Sequence, residues 1–481
     1  MNISLKRITS TWIITILLLF FTAIILGITI RFNQGNVISM DDGKFYGLMT
    51  THGMTMIAIW AVAGMVGVHY LLNRYVNVGA GLSRFAFVLT IIGVIMFYIS
   101  TFIGHFHAGW TFLYPLPFLN VGEWESWATP LFFWSLTVLG VGWLVWSIGL
   151  LVAIFKKYSL RETFAWQHLS KQTPEVQTPP LVLISAISLV GVVLCLLTAV
   201  VILILSFAEW YSDGAFKSDP LLMKNLIYFF GHTIANESLY LGLAIVYELL
   251  PEISGRPKFK TTWYVSLGWN FTLLFVLTAY FHHLYMDFVQ PLGLQMFGQF
   301  ASYFASIPSA VVTIISVIVL LYGHKIKWTI TNLLFFIGIT GWIIGGVGAL
   351  IDSTISNNIF LHNTLWVPAH FHTYNALGNV LLILGFFTWV ANEFSGSQSD
   401  PMRKLKLTLI IIGGFGFVLM FYCGGAESIP RRYSVYPAEF TRAALFATAA
   451  AWFAILYLLG MILIFVDIFK KCIKVFSPSS H

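Results

Sequence analysis

Two histidines spaced two residues apart stand near the start of a long apolar segment that covers about 363–391. On a helix, His370 and His372 would leave opposite sides, because two residues correspond to a rotation of about 200°. Neutral imidazole is a common axial ligand of haem iron. This segment could therefore hold one flat macrocycle on each side. The alternative is two unrelated polar side chains buried between helices.

A further histidine, His52, lies near the outer end of the second apolar segment, 47–72. His372 would have a similar depth, because both segments begin on the outer side. Two imidazoles at one depth could clamp a six-coordinate haem, which has no open iron position and therefore suits electron transfer. The alternative for His52 is a packing residue with a hydrogen bond.

Three more histidines fall on the sixth and seventh apolar segments: His232, His282 and His283. Adjacent residues diverge by about 100° on a helix, so the doublet can share one ion only where the backbone opens. Three imidazoles around an open position suit copper, iron or zinc. The alternative is a set of unrelated interface histidines. Another pair, His105 and His107, borders a loop where water can satisfy both rings.

Two polar residues follow His232 on the same segment. Asn236 would share the face of His232, at about 40° from it, whereas Glu237 would point aside at about 140°. An ionisable side chain within an apolar span is costly and is a functional candidate for that reason. The alternative for Glu237 is a protonated or hydrogen-bonded packing residue.

Arg431 and Arg432 stand after the eleventh apolar segment, on a side that is otherwise poor in positive charge. Arginine forms forked bonds with carboxylates, and haem carries two propionates. We therefore expect this pair to lie over haem propionates. The alternative is a solvated surface pair.

The chain has 481 residues, of which 58% are hydrophobic and 9% charged, whereas soluble domains average about 25% charged residues. Twelve apolar stretches reach the length of about 20 residues that crosses a bilayer. We predict an all-α membrane protein with twelve transmembrane helices in a single domain, 1–481. The stretches cover approximately 10–30, 47–72, 85–106, 128–155, 180–207, 221–250, 263–288, 297–322, 328–351, 363–391, 405–422 and 443–469.

Most of the 26 Lys and Arg residues fall on one side of these segments. This bias predicts that both termini are cytoplasmic. It also explains the net charge of +7 without a nucleic-acid partner. The first segment lacks a cleavage signature, so we expect it to be a retained helix. We expect an integral protein of a bacterial or archaeal cytoplasmic membrane.

Taken in order, these residues resemble the catalytic subunit of the haem-copper oxidase superfamily along essentially all twelve segments. The resemblance rests on His52, the His282-His283 doublet, the His370-Phe371-His372 triplet and Pro430-Arg431-Arg432-Tyr433. The sequence from His362 to Pro368 is similar to the B-type branch of that superfamily.

The resemblance implies the subunit I fold and two haems. His52 and His372 would bind the low-spin haem, and His370 would be the proximal ligand of the high-spin haem. A second metal, copper rather than iron, would be held by His232, His282 and His283. The resemblance also implies a membrane-anchored second subunit of cupredoxin type that receives electrons. The electron donor would be cytochrome c or a quinol.

One departure from the superfamily concerns a tyrosine. Its A-type and B-type oxygen reductases carry one four residues after the first metal-binding histidine, where this chain has Asn236. The C-type position, six residues before the doublet, is Val276. Oxygen reduction needs four electrons at one site and uses this tyrosine as a donor, whereas coupling two NO molecules needs only two electrons.

The missing tyrosine predicts a nitric oxide reductase, in which Asn236 hydrogen-bonds the reaction intermediate and Glu237 relays a proton. Nitric oxide reductases of the cytochrome c type have a glutamate at the Asn236 position and iron as second metal; a π-bulge could bring Glu237 there. The alternative is a terminal oxygen reductase with Tyr240 as a displaced redox residue. Tyr240 lies about 12 Å along the helix from His232, too far for a covalent bond. A third possibility is a transporter without redox centres.

Overall fold

A computed structural model describes residues 2–120, 122–170, 175–287, 290–326 and 328–477. The described chain is helical throughout, apart from loops and one isolated bridge between Thr364 and Pro430. The prediction of an all-α protein is thus confirmed. Twelve long helices carry the fold: α1 (Ile3–Gln34), α2 (Asp42–Leu72), α3 (Ala80–Ile103), α4 (Ala128–Phe155), α5 (Pro180–Tyr211), α6 (Pro220–Ile253), α7 (Trp263–Leu284), α8 (Leu292–Leu321), α9 (Ile330–Ser353), α10 (Trp366–Ser395), α11 (Arg403–Ala426) and α12 (Ala443–Phe476).

Eleven of these helices are long and apolar enough to cross a membrane, counted over the described residues. The exception is α6, which has 34 residues but carries Lys224, Glu237, Glu248 and Glu252. The number of twelve spans therefore stays a prediction, and so does the cytoplasmic position of both termini.

Side chains at the helix starts explain where several of these helices begin. Asp219 accepts a hydrogen bond from the backbone of Leu222 and caps α6, whose first residue is Pro220. Thr329 and Asn332 form a reciprocal capping pair at the start of α9. Such caps satisfy the free N–H groups of a first helical turn, and proline has no N–H to satisfy there.

The two helices that carry His52 and the His370-Phe371-His372 triplet occupy the centre of the bundle. In the most apolar window of α10, 89% of the residues are buried, and in α2 the share is 83%. The corresponding share in the other nine candidate spans lies between 33% and 44%. The other nine candidate spans therefore expose many apolar side chains on the outside of the bundle. The interior is formed by α2 and α10, together with most of α6 from Thr233 to Pro251.

Regular α-helix is interrupted beside two of the histidine groups. In α7 the α-helical part ends at Val276, and a 3-10 segment, Ala279–Leu284, carries the histidine doublet. In α10 a π-helical segment, Thr373–Asn379, begins directly after His372. Interruptions of this kind are frequent at functional sites.

Candidate metal and haem site

His52 of α2 and His372 of α10 face each other across a gap. Their ring centres lie 6.5 Å apart, and the ring planes are inclined by only 20°. A metal–imidazole bond is about 2 Å long. Two rings that bind opposite sides of one ion therefore have their centres roughly 6 Å apart. The observed spacing fits a single iron between them.

The other ring nitrogen of each histidine is held by a backbone carbonyl. Nδ1 of His52 lies 2.7 Å from the oxygen of Ala23, and Nδ1 of His372 lies 2.6 Å from the oxygen of Pro368. Because a carbonyl oxygen can only accept, each Nδ1 donates its hydrogen and each Nε2 keeps a free lone pair. Such contacts fix the tautomer of metal-binding histidines.

His232 of α6 meets the doublet His282-His283 of α7. Their candidate ligand atoms all lie within 4.8 Å of one another. Nδ1 of His282 is 2.9 Å from the hydroxyl of Ser302 on α8, and the ring of Tyr228 stacks on His283 at 5.3 Å. The break in α7 after Val276 is the backbone opening that the doublet requires. Three imidazoles in this arrangement fit copper, iron or zinc.

A single cavity of about 720 Å³ joins these groups. Its lining includes the six histidines His52, His232, His282, His283, His370 and His372. His370 is buried and lines the same cavity. One cavity thus brings His370 together with the His52–His372 pair and the three-histidine cluster.

Three arginines line the same cavity: Arg31, Arg431 and Arg432. Each has at least one buried side-chain N–H without a hydrogen-bond partner among the described residues. Burial, together with the adjacent charge of Arg432, lowers the pKa of Arg431 to about 10. One buried and two half-buried cations, each with a buried free donor, match a ligand that bears carboxylates. The cavity thus fits haem, which combines an apolar ring with propionates.

The loop that bears two of these arginines is tied to the start of α10. Leu365 donates a backbone hydrogen bond to Ile429 at 2.8 Å, and Arg431 donates from Nη2 to Asn363 Oδ1 at 2.9 Å. Arg31, by contrast, comes from α1 and lies 4.4 Å over the Phe421 ring. Arg31 was not predicted as a site residue, although a charged residue at the end of an apolar segment indicates a candidate functional position.

Asn236 lies beside His232 and is reached by a phenol. Its Nδ2 donates to the carbonyl oxygen of His232 at 2.9 Å and lies 3.4 Å from both nitrogens of that ring. The hydroxyl of Tyr374 on α10 donates to Asn236 Oδ1 at 3.1 Å. Both residues line the cavity. Tyr374 was not predicted from the sequence. Its spacing of four residues from His370 could have indicated it, because residues four apart on a helix lie on the same face.

Two predicted groups lie elsewhere. Glu237 is fully buried, and a Cβ on Gly191 of α5 would collide with its carboxyl group. Glu237 does not line the cavity in the part of the chain that the structure describes, and α6 runs through it as regular α-helix, without a π-bulge. In the other group, the His105–His107 pair, His107 Nε2 lies 3.0 Å from the Glu123 carboxylate, which can accept its hydrogen.

Comparison with known proteins places this site in a family. The sequence profile described as "Cytochrome C and Quinol oxidase polypeptide I" matches residues 7–469. Cytochrome c oxidase subunit 1 of Synechocystis sp. is 26% identical over 420 residues, which cover 84% of this chain and 72% of that protein. Quinol oxidase subunit 1 of Bacillus spizizenii is 24% identical over 453 residues, covering 90% and 66%.

A solved structure described as a heme-copper terminal oxidase dimer has the same fold. It aligns with a TM-score of 0.78 and 21% identity over 98% of this chain and 84% of that chain. The predicted membership of the haem-copper oxidase superfamily is confirmed, whereas the closer likeness to nitric oxide reductases is not. The chain belongs to the cytochrome c and quinol oxidase polypeptide I family, the subunit I of membrane-bound haem-copper oxidoreductases.

Proposed function

We propose that the protein is the catalytic subunit of a terminal oxidase that reduces dioxygen to water. The named relatives are cytochrome c and quinol oxidases, which favours oxygen over the NO that the sequence alone predicted. The observation that carries the choice is Tyr374. Its hydroxyl brings a phenol to Asn236, the residue that stands in place of the expected tyrosine.

The six histidines and the arginines take the following roles in this proposal. His52 and His372 bind the low-spin haem, and His370 binds the high-spin haem. The cluster His232, His282 and His283 binds copper. Arg431 and Arg432 pair with propionates. When bound, the haem iron and copper supply the oxygen-binding position and electrons for the reaction.

Tyr374 supplies what the metals lack. Reduction of one dioxygen to two waters takes four electrons and four protons. When Tyr374 gives one electron and its hydroxyl proton to the dioxygen being reduced, it becomes a neutral phenoxyl radical. One electron from the donor and one proton from the proton supply restore the phenol. Asn236 Oδ1 accepts the hydroxyl hydrogen bond, so its Nδ2 is turned toward His232 and the cavity. Asn236 thereby offers a hydrogen-bond donor to a bound gas.

Glu237 is proposed as a proton-relay residue on the opposite side of α6. Its carboxyl group lies against α5 and not beside the metal cluster. A proton held there would have to travel along the α5–α6 interface before it reached the cavity. This position supports a role of Glu237 in proton supply and not a role as a metal ligand.

The proposal includes the surroundings of the enzyme. The chain forms one domain, 1–481, with twelve spans in the lipid bilayer and both termini in the cytoplasm of a bacterium or archaeon. Electrons come from cytochrome c or a quinol. A second, membrane-anchored subunit of cupredoxin type passes them to the low-spin haem.

Reduction of two NO to N₂O is the second candidate, and Asn236 favours it. With an amide in the tyrosine position, no phenol among the described residues is hydrogen-bonded directly to the three histidines. NO coupling requires only two electrons, which an iron and a copper can supply without a phenol. Both functions use the same cavity and the same histidines.

Anaerobic NO consumption and aerobic O₂ consumption by the purified protein separate the two functions, with haem and metal analysis of the same sample. We expect rapid O₂ consumption. After reaction of the wild type with peroxide, we expect a tyrosyl radical in its electron paramagnetic resonance spectrum. Rapid NO consumption with little O₂ consumption would establish the second candidate instead.

Two phenols can be compared directly in this experiment. Tyr374→Phe should lose the radical and cut O₂ consumption at least tenfold while it keeps both haems. The matched control is Tyr240→Phe, which removes a hydroxyl that donates to the carbonyl of Ala305 at 3.0 Å. It should keep the radical. If the radical persists in Tyr374→Phe and disappears in Tyr240→Phe, the redox residue is Tyr240.

A further inference from the structure

A buried aspartate, to which the proposed function gives no role, lies next to the His370 ring. Asp352 stands near the end of α9, and its side chain is 3% exposed. Its Oδ2 lies 3.6 Å from Nδ1 of His370. Within the described residues, neither Asp352 Oδ1 nor His370 Nδ1 has a hydrogen-bond partner.

Burial removes the hydration of both groups. Free energy is therefore lost if they do not form a hydrogen bond with each other. The distance of 3.6 Å is about 0.7 Å longer than a usual N–H···O bond. A small rotation of either side chain would close it. Hydrogen bonds around catalytic groups are often long before the ligand is in place.

The backbone of α9 is close enough to His370 to hold the acid there. A Cβ on Gly348, one turn before Asp352, would lie 2.9 Å from Cβ of His370. Glycine at this position lets α9 contact α10 directly. Asp352, on the next turn of α9, is thereby brought level with the imidazole.

The three candidate haem ligands differ in what their Nδ1 atoms face. His52 and His372 face backbone carbonyls, which are neutral. His370 faces the Asp352 carboxyl group at 3.6 Å, and the backbone of Trp366, one turn earlier, also interacts with its ring. A carboxylate acceptor makes a histidine ligand more electron-rich than a carbonyl acceptor does, and second-shell contacts of this kind tune haem potentials.

We propose that Asp352 accepts the Nδ1–H hydrogen bond of His370 and is a positioning residue for the proximal ligand. It fixes the tautomer with Nε2 toward the high-spin haem and makes that ligand more basic than those of the low-spin haem. Both haems would thus have histidine ligands, but the histidine of the high-spin haem would be the stronger electron donor to iron. The inference rests on the assignment of His370 as a haem ligand.

The test compares Asp352→Asn with the wild type by redox titration and by resonance Raman spectroscopy of the ferrous protein. In Asp352→Asn we expect the midpoint potential of the high-spin haem to rise and its iron–histidine stretching frequency to fall. The low-spin haem should keep its potential, which makes it an internal control. Ser353→Ala is the neighbouring control: Ser353 also lines the cavity, but its Oγ donates to Leu350 O of its own helix and makes no other hydrogen bond among the described residues.

Asp352→Glu keeps the acceptor and should return both readouts toward the wild type. If Asp352→Asn binds no haem, the Asp352→Glu variant provides the test. The inference then requires that Asp352→Glu binds both haems and has a near-wild-type iron–histidine stretching frequency. Unchanged readouts in a haem-replete Asp352→Asn protein would overturn the inference, as would equal shifts in both haems. A wild-type protein without any high-spin haem would instead refute the assignment of His370 itself.

Discussion

The space beside His52 depends on one glycine of α1. A Cβ on Gly27 would lie 2.6 Å from Cε1 and 2.9 Å from Nδ1 of the His52 ring. That ring is also bound to Ala23 O and cannot retreat without loss of this hydrogen bond. We expect Gly27→Ala to cost about 1–3 kcal/mol through overpacking. The purified variant should lose most of the low-spin haem absorbance.

A second glycine serves as the control for this prediction. Gly47 lies on α2 itself, and a Cβ there would meet no atom within 4 Å among the described residues. Gly47→Ala should keep both haems and gain up to about 1 kcal/mol from helix propensity. A full low-spin haem spectrum in Gly27→Ala would show that His52 does not depend on this contact.

Residue types and helical spacing were enough to predict which histidines meet. Two residues of separation predict opposed directions for His370 and His372. In the structure His372 faces His52, and both His370 and His372 line the cavity. Asp352 could not be found in this way. It is brought to His370 by the close packing of α9 on α10 at Gly348, which is a contact between two helices. Spacing along one helix contains no information about it.

Asp287 connects three of the elements that carry the site. It follows the doublet of α7 by four residues, accepts from Lys224 of α6 at 2.8 Å, and lies 3.2 Å from His362, just before α10. Burial alone would raise its pKa. The hydrogen bonds from His362 and Lys224 and the charge of Lys224 outweigh burial and lower the pKa below the usual value.

A lowered pKa gives this acid a defined effect on stability with pH. Its contribution is fully present above the unfolded-state value of about 4 and is lost as the pH falls through the lower folded-state value. Asp287→Asn should therefore melt below the wild type at pH 7, and the difference should shrink toward pH 3. Thermal unfolding of the detergent-solubilised protein measures this. A difference that stays constant over that range would exclude an ionic role for Asp287.

The breaks within helices could not be predicted from hydrophobic pattern. In α10 the backbone of Thr373–Asn379 is π-helical. This stretch contains Thr373, Asn375 and Asn379, but polar residues within an apolar segment do not by themselves indicate a change of helix type. For α7 the doublet itself was the signal, because two adjacent histidines can share an ion only if regular helix ends. In α7 the histidine doublet thus predicted a break in the helix that the hydrophobic pattern did not indicate.

At the scale of the whole molecule, α6 decides the topology. Its length of 34 residues corresponds to about 51 Å, well above the 30 Å of a hydrocarbon core. Its end beyond the core can therefore hold Glu248 and Glu252 at an interface, where both pair with Arg74 at 2.8 and 2.7 Å. His232, on the same helix, lies within 4.8 Å of the α7 histidines and must share their depth.

These contacts predict that α6 crosses the membrane despite its charges, so that the number of spans is even. An even number places both chain ends on one side, and the distribution of Lys and Arg makes that side the cytoplasm. Reporter fusions at each end, one active only in the cytoplasm and one only outside it, measure this in cells. A fusion in the loop between α1 and α2 is the control and should report the outside. Ends on opposite sides would mean an odd number of spans, and α6 would then not share the bilayer with α7.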